Sequence, residues 1–181
     1  QNFLEDLRNG TKVRLCSTCK VRIPYRSKHS VLLNKCVIRF DHHCTWINNI
    51  VGEKNHIRFL FSLLFVMCSI WYYLIRFYYL TPSQFQAHPY LGPFLSNKTF
   101  FMVSFGIYAL WLLVLSISQI FNISYNLTVN ETAGVKKYRH FWRGEPGSLK
   151  FHNPFDRGFV RNWREFLFEG DKWYSQYTLN E

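Results

Sequence analysis

The sequence is poor in acidic residues and lacks internal repeats, low-complexity tracts and a recognisable signal peptide. Its 181 residues include 11 Asp and Glu against 22 Lys and Arg, which gives a formal net charge of +11 at pH 7. The absence of repeats and biased tracts excludes a solenoid and a low-complexity protein. No signal peptide is present at the start. The chain opens without Met, so we expect a fragment of a longer protein.

The basic residues are concentrated at the two ends of the chain. Eleven lie in residues 1–58 and nine in residues 133–181, whereas only Arg76 and Lys98 lie between Phe59 and Thr132. Hydrophobic residues nevertheless make up 48% of the sequence and aromatic residues 19%. An apolar centre with basic flanks is typical of a membrane protein. Anionic lipid head groups explain the flanks more simply than nucleic acid does, so we expect membrane lipid and no nucleic acid as partners.

Two apolar runs are long enough to cross a membrane. The first, residues 59–80, has no charged residue before Arg76, and roughly 22 residues at about 1.5 Å each span a typical hydrocarbon core. The second is residues 100–122. A buried helix of a soluble protein is the alternative for the first run. Its aromatic residues favour a membrane because they resemble an interfacial belt: Trp71, Tyr72, Tyr73, Tyr78 and Tyr79.

The distribution of charge predicts the topology, since cytosolic flanks are enriched in Lys and Arg. It gives a linker (1–14), a cysteine-rich cytosolic domain (15–58), a transmembrane helix (59–80), a lumenal loop (81–99), a second transmembrane helix (100–122) and a cytosolic C-terminal region (123–181). A transporter is not expected, because Arg76 is the one charged residue inside the spans.

In the C-terminal region Phe159, Trp163, Phe166 and Leu167 recur at helical spacing. This predicts an amphipathic helix near the membrane surface. A helix packed on the cysteine-rich domain is the alternative, and both can hold together.

Four of the five cysteines fall within 29 residues, beside several histidines. Cys16 and Cys19, in a Cys-x-x-Cys pair, combine with His29 and Cys36 to give three sulfurs and one nitrogen, which is a closed, structural zinc set. A redox pair is the alternative, but no thioredoxin-like context surrounds it. Zinc thiolates imply a reducing compartment, so this segment should face the cytosol. Its small apolar content predicts loops and short hairpins that need the metal to fold.

The run Asp41-His42-His43-Cys44 is the second chemical motif. A thiol attacks a thioester as the thiolate, which requires a base and a positive neighbourhood. His42 can take the proton, and Asp41 can orient and stabilise the imidazolium that results. The alternative makes His43 and Cys44 further zinc ligands, although the first set already supplies four.

These motifs together resemble the DHHC cysteine-rich domain of protein palmitoyltransferases. The resemblance continues through Thr128-Val129-Asn130-Glu131, similar to a Thr-Thr-x-Glu motif, and through Asn153-Pro154-Phe155 near the end. The stretch 130–141 is most similar to the ankyrin-repeat, huntingtin-interacting group. Further residues that carry the resemblance are Arg26, Trp46, Asn49, Gly52, Asn55 and Phe59.

The resemblance implies a mainly α, integral membrane protein of four or six helices with its zinc-bound module on the cytosolic face. This chain would hold that module and the last two helices, and earlier helices and ankyrin repeats would precede it. The implied activity is transfer of a long-chain acyl group, palmitoyl, from acyl-CoA to membrane-proximal cytosolic cysteines of substrate proteins. The intermediate would be S-acyl-Cys44, and the expected location is the Golgi or another endomembrane.

The sequence departs from the family's pattern at two places. A second zinc set falls by alignment on Ser30, Leu33, His43 and Ile50, of which only His43 is a ligand, so one zinc ion is expected. Two ions would mean that other residues, such as His56 or Asp41, complete a second site. Val129 replaces the second Thr of the Thr-Thr-x-Glu motif and removes a hydroxyl that could bond in the active site. These losses motivate an alternative function, a weak or inactive membrane scaffold that binds substrate proteins.

Overall fold

The computed structural model describes residues 14–80, 98–145 and 147–169. The predicted linker up to residue 13 and most of the predicted lumenal loop, residues 81–97, lie outside the described residues. The chain divides into two compact units. The first unit comprises Gln1–Ile57 with Phe121–Glu181, and the second comprises Arg58–Ile120.

The described part of the chain has two long helices, α1 (His56–Leu80) and α2 (Lys98–Ser124), of which residues 58–80 and 98–120 belong to the second unit. Both are long and apolar enough to cross a membrane. Ser62, Ser69 and Ser116 donate their hydroxyls to the carbonyls four residues earlier, so these groups need no water. Many large apolar side chains are exposed, as expected of helices in lipid: Phe61, Phe65, Tyr72, Tyr73, Ile75, Phe100, Ile107, Leu110 and Val114.

The cysteine-rich segment consists of three two-stranded antiparallel hairpins. They pair β1 (Leu15–Cys16) with β2 (Val21–Arg22), β3 (Lys28–Ser30) with β4 (Lys35–Val37), and β5 (His42–Cys44) with β6 (Asn49–Val51). Each connection contains one residue with a left-handed backbone, at Lys20, Asn34 and Asn48. Such residues reverse the chain within a few positions, which is how so short a segment forms three hairpins.

The chain after α2 returns to the cysteine-rich segment through a tight helix end. Asn126 is left-handed (φ 51°), the Leu127 N–H reaches the Asn122 carbonyl at 2.7 Å, and the Asn126 N–H reaches the Ile123 carbonyl at 3.0 Å. This pair of bonds is a Schellman motif. It is followed at once by the short helix α3 (Val129–Ala133), whose Thr128 and Glu131 form a capping box.

The C-terminal region adds an aromatic core and a small hairpin. Leu127, Phe141 and Phe155 are buried together, and Val135, Tyr138 and Trp142 pack against them. The hairpin pairs β7 (Trp142–Arg143) with β8 (Lys150–Phe151), and α4 (Phe159–Arg164) continues into the π-helical turn Glu165–Glu169.

The apolar residues of α4 and of the turn that follows it differ in exposure. Phe166 is only 3% exposed, whereas Phe159 is 65% exposed. The Trp163 indole donates to the Ser124 hydroxyl at 3.0 Å, which fastens the helix to the end of α2. The burial of Phe166 agrees with the packed alternative, and a position of this helix near the membrane surface stays a prediction.

Candidate active site and metal centre

The four predicted zinc ligands converge in the first unit. The ligand atoms of Cys16, Cys19, His29 and Cys36 all lie within 4.8 Å of one another. The His29 Nδ1 atom is 3.4 Å, 3.3 Å and 3.9 Å from the three sulfurs in that order. Ligand atoms around a tetrahedral zinc ion with Zn–S bonds of about 2.3 Å are about 3.8 Å apart. This cluster fits a zinc site.

The two hairpins build this cluster in different ways. In β1–β2 the Cys19 N–H donates to the Cys16 sulfur at 3.3 Å, and the Lys20 N–H closes the turn on the Cys16 carbonyl at 2.8 Å. In β3–β4 the register pairs His29 directly with Cys36 across the strands. Directly opposed residues have their Cβ atoms about 5 Å apart, which suits two ligands of one ion.

The pKa values of Cys16 and Cys36 are shifted in opposite directions. Burial, and then the hydrogen bonds to Cys16 and Cys19, raise the pKa of Cys36 to about 12. The backbone N–H of Cys19 is the main cause that lowers the pKa of Cys16. Three adjacent thiolates repel one another, and a divalent cation would offset that repulsion and favour their deprotonation. The chemistry of the donor set thus agrees with its geometry.

The positions aligned with a second zinc set form ordinary protein contacts. The Leu33 N–H donates to the Ser30 hydroxyl at 3.2 Å, the same three-residue turn that Cys19 and Cys16 form. His43 is paired with Ile50 across β5 and β6. Among the described residues, the Cys16 cluster is the one group of three or more His, Cys, Asp or Glu side chains that could hold a metal. The number of zinc ions per chain stays a prediction.

Strand β5 places the predicted nucleophile and base together. His42 and Cys44 are two positions apart in a strand, so both side chains point to the same face. Asp41, just before the strand, is completely buried, and its Oδ2 is 2.8 Å from the His42 Nδ1. Because the His42 Nδ1 is hydrogen-bonded to the carboxylate, its Nε2 is the nitrogen that can exchange a proton with a thiol.

The surroundings of His42 raise its pKa, which favours a role as a base. Burial opposes its protonation, but the hydrogen bond to Asp41 and a smaller contribution from Cys44 raise the pKa of His42 above its ordinary value of 6.5. Cys44 itself is buried. The carboxylate therefore stabilises the imidazolium that would form when Cys44 gives up its proton.

Helix α3 completes the surroundings of Asp41. The Val129 N–H donates to the Asp41 Oδ1 at 2.8 Å, and the Asn130 N–H donates to the Asp41 main-chain carbonyl at 2.9 Å. Both N–H groups lie in the first turn, where they have no partner within the helix. The tie to Asp41 is made by the main chain of residue 129, so a Val at this position retains it.

A buried polar network behind the site was not predicted from the sequence. Arg26 forms a bidentate ion pair with Glu131, in which both contacts are 2.5 Å. It also donates to the Asn126 side-chain oxygen at 3.0 Å. Arg39 donates to the same Asn126 oxygen at 3.0 Å, and burial, followed by the charge of Arg26, lowers the pKa of Arg39 to about 10. Arg26 and Glu131 both carry the family resemblance in the sequence, but their separation of 105 residues hides the pairing.

Comparison with known proteins gives matches over most of the chain. A family model described as DHHC palmitoyltransferase matches residues 10–136. The chain is 35% identical over 163 residues to Palmitoyltransferase ZDHHC17 of Homo sapiens, which covers 84% of this chain and 25% of that protein. It is 35% identical over 161 residues to Palmitoyltransferase Hip14 of Drosophila melanogaster, covering 84% and 24%. It is 34% identical over 160 residues to Palmitoyltransferase ZDHHC23-B of Danio rerio, covering 84% and 37%. The chain thus spans about a quarter of the length of the first two relatives.

Proposed function

Because this chain belongs to the DHHC palmitoyltransferase family, we propose that it transfers a long-chain acyl group from acyl-CoA to cysteine thiols of substrate proteins through an S-acyl-Cys44 intermediate. The family resemblance predicted from the sequence is confirmed, and similarity to ZDHHC17 and Hip14 agrees with the predicted ankyrin-repeat group. The observation that carries the proposal is the Asp41–His42 contact of 2.8 Å with Cys44 on the same face of β5.

In the first half-reaction, the Cys44 thiol gives its proton to the His42 Nε2 and its sulfur attacks the thioester carbonyl of acyl-CoA. The new C–S bond forms as the bond to the CoA sulfur breaks, and His42 returns the proton to that leaving sulfur. Asp41 stays ionised, keeps the Nδ1 hydrogen in place and stabilises the imidazolium.

In the second half-reaction, a substrate cysteine gives its proton to His42 and attacks the acyl carbonyl on Cys44. The bond to the Cys44 sulfur breaks, and that sulfur takes the proton back from His42. One thioester is exchanged for another in each step, so the reaction needs no ATP. Zinc, held by Cys16, Cys19, His29 and Cys36, would supply rigidity to the hairpins and take no part in either step.

We place the active site on the cytosolic side of a Golgi or other endomembrane, with both apolar helices in the bilayer. The acyl tail is then expected in the hydrocarbon, while the CoA phosphates meet cytosolic Lys and Arg, of which the two chain ends carry twenty. Substrates are expected to present cysteines close to the membrane surface, because a buried acyl tail limits how far the thioester can move.

The competing proposal is a scaffold that binds substrates without acylating them, and the three replaced ligands of the second zinc set favour it. Autoacylation with a clickable long-chain acyl-CoA distinguishes the two, with Cys68→Ser as the matched control because Cys68 is an exposed thiol of α1 outside the site. Parent and Cys68→Ser should both load, and Cys44→Ser should not. No loading of the parent would support the scaffold, and a Cys44→Ser variant that loads like the parent would remove Cys44 from the mechanism.

A further inference from the structure

His56 lies beside the carboxylate that orients the proposed base. It is the first residue of α1, is 1% exposed, and its Nε2 is 3.8 Å from the Asp41 Oδ2. From the sequence, His56 was a candidate only as a substitute zinc ligand. The structure places it outside the Cys16 cluster.

A rigid turn fixes this position of His56. The Asn55 side chain bridges the Gly52 N–H (2.9 Å) and the Ile50 carbonyl (2.8 Å), and the His56 N–H bonds to the Gly52 carbonyl at 2.9 Å. A Cβ at Gly52 would approach a Val37 methyl group to 2.7 Å, so the turn is closely packed. The Asp41 N–H bonds to the Val51 carbonyl (2.9 Å), at the end of β6 just before this turn. The turn therefore holds His56 close to Asp41.

The ring of His56 is also supported from the C-terminal region. Phe166, nearly completely buried, meets it edge to face with ring centroids 5.1 Å apart. The ring also has a polar neighbour, the Asp41 carboxylate. Its Oδ2 is 2.8 Å from the His42 Nδ1 and 3.8 Å from the His56 Nε2. A separation of 3.8 Å is too long for a hydrogen bond, but between buried groups it is close enough for a substantial electrostatic contact.

We propose that His56 is a positioning residue for the proposed acyl transfer, which acts through Asp41 and does not itself exchange a proton with the substrate. Val129 holds one carboxylate oxygen, and His56 limits the movement of the other, so that Oδ2 stays on the His42 Nδ1 as the proton moves between Cys44 and Nε2. A displacement of about 1 Å in such an arrangement can cost about a hundredfold in rate. This inference rests on the proposed function.

The test compares His56→Leu with His56→Gln. Leu keeps most of the bulk without a polar atom, whereas Gln keeps an N–H donor at nearly the same reach. Autoacylation is followed against acyl-CoA concentration, with zinc content and Tm measured on the same preparations. His140→Leu is the control for loss of a half-buried imidazole, since His140 packs among Tyr25, Tyr138 and Phe155.

We expect His56→Leu to lower the maximal loading rate by about tenfold or more, with KM for acyl-CoA within about twofold, and His56→Gln to restore most of the rate. His140→Leu should load at the parental rate. A zinc-loaded His56→Leu variant that loads like the parent, or a His56→Gln variant as slow as the Leu variant, would overturn the positioning role. If the Leu variant loses zinc, His56→Phe replaces it, because that ring can still pack on Phe166. A parent that does not load overturns the proposed function, whereas a loading parent with a normal His56→Leu variant overturns only this inference.

Discussion

The Asp41 carboxylate accepts the main-chain N–H of Val129 at 2.8 Å, across 88 residues of sequence. This bond joins the proposed catalytic segment, which precedes the two apolar helices, to the short helix that follows them. It belongs to the same carboxylate that orients His42, so the position of α3 and the geometry of the proposed base are coupled through one buried side chain.

Removing the Val129 N–H should slow autoacylation. Val129 is the first residue of α3, and Thr128 before it is extended (φ −108°, ψ 157°), so Pro fits the backbone at position 129 and removes the N–H donor. Loss of a hydrogen bond to a charged group costs about 1.5–3 kcal/mol, which corresponds to a rate lower by roughly ten- to a hundredfold. Val129→Thr, the control, keeps the N–H, restores the hydroxyl of the family motif and should load at the parental rate or faster. Equal rates for the Pro and Thr variants would show that this bond is dispensable.

The pH dependence of autoacylation should report His42. The active form is the neutral imidazole, and its raised pKa means that loading falls as the pH drops through a value above 6.5. Asp41→Asn keeps the shape but removes the charge, so it should move this acidic limb to lower pH and also lower the plateau, because the tautomer is no longer fixed. His42→Ala should lose most activity at every pH. A parental limb at or below pH 6.5, or one that Asp41→Asn leaves in place, would contradict the role of the pair.

Purified protein should contain one zinc ion per chain. Cys19→Ser should lose that ion and unfold the cysteine-rich segment, because metal binding supplies a large part of the folding free energy of so small a core. His43→Ala, a change at the one histidine of the replaced set, should keep the parental zinc content. Elemental analysis and circular dichroism measure both effects. Two ions per chain would refute the single-site prediction.

The losses of stability on replacing Arg26 and Glu131 should not be additive, because the two buried side chains form an ion pair. Arg26→Met leaves the Glu131 carboxylate buried without its partner, and breaking such a pair costs about 3–5 kcal/mol. The double change Arg26→Met with Glu131→Gln should destabilise by less than the sum of the two single changes, because neither charge is then left alone. Thermal unfolding of the zinc-loaded variants gives the comparison, and strictly additive losses of stability would show that the pair is not coupled.

Both ends of the chain should face the cytosol. Reporters before residue 14 and after Glu181 are expected on the cytosolic side, and one inserted in residues 85–95 on the lumenal side, because basic flanks enclose the two apolar helices. Protease protection of sealed vesicles distinguishes the sides. A lumenal C-terminal reporter would contradict the hairpin topology.

The sequence by itself determined the features that depend on local spacing. Cys16, Cys19, His29 and Cys36 lie within 21 residues, and short hairpins can bring ligands so close in sequence to one ion. His42 and Cys44 face the same way because they are two positions apart in a strand. The apolar helices follow from the length and composition of their runs alone.

Only the tertiary structure decided which distant groups surround Asp41. Val129 and His56 reach it from α3 and α1, and the pairing of Arg26 with Glu131 crosses 105 residues. The same holds for Phe166, whose helical spacing predicted a packed or a membrane-proximal position and whose side chain packs on His56. Periodicity shows which residues share a face of one element. It does not show what that face meets, because this depends on how the Schellman turn at Asn126 and the turn at Gly52 direct the chain in three dimensions.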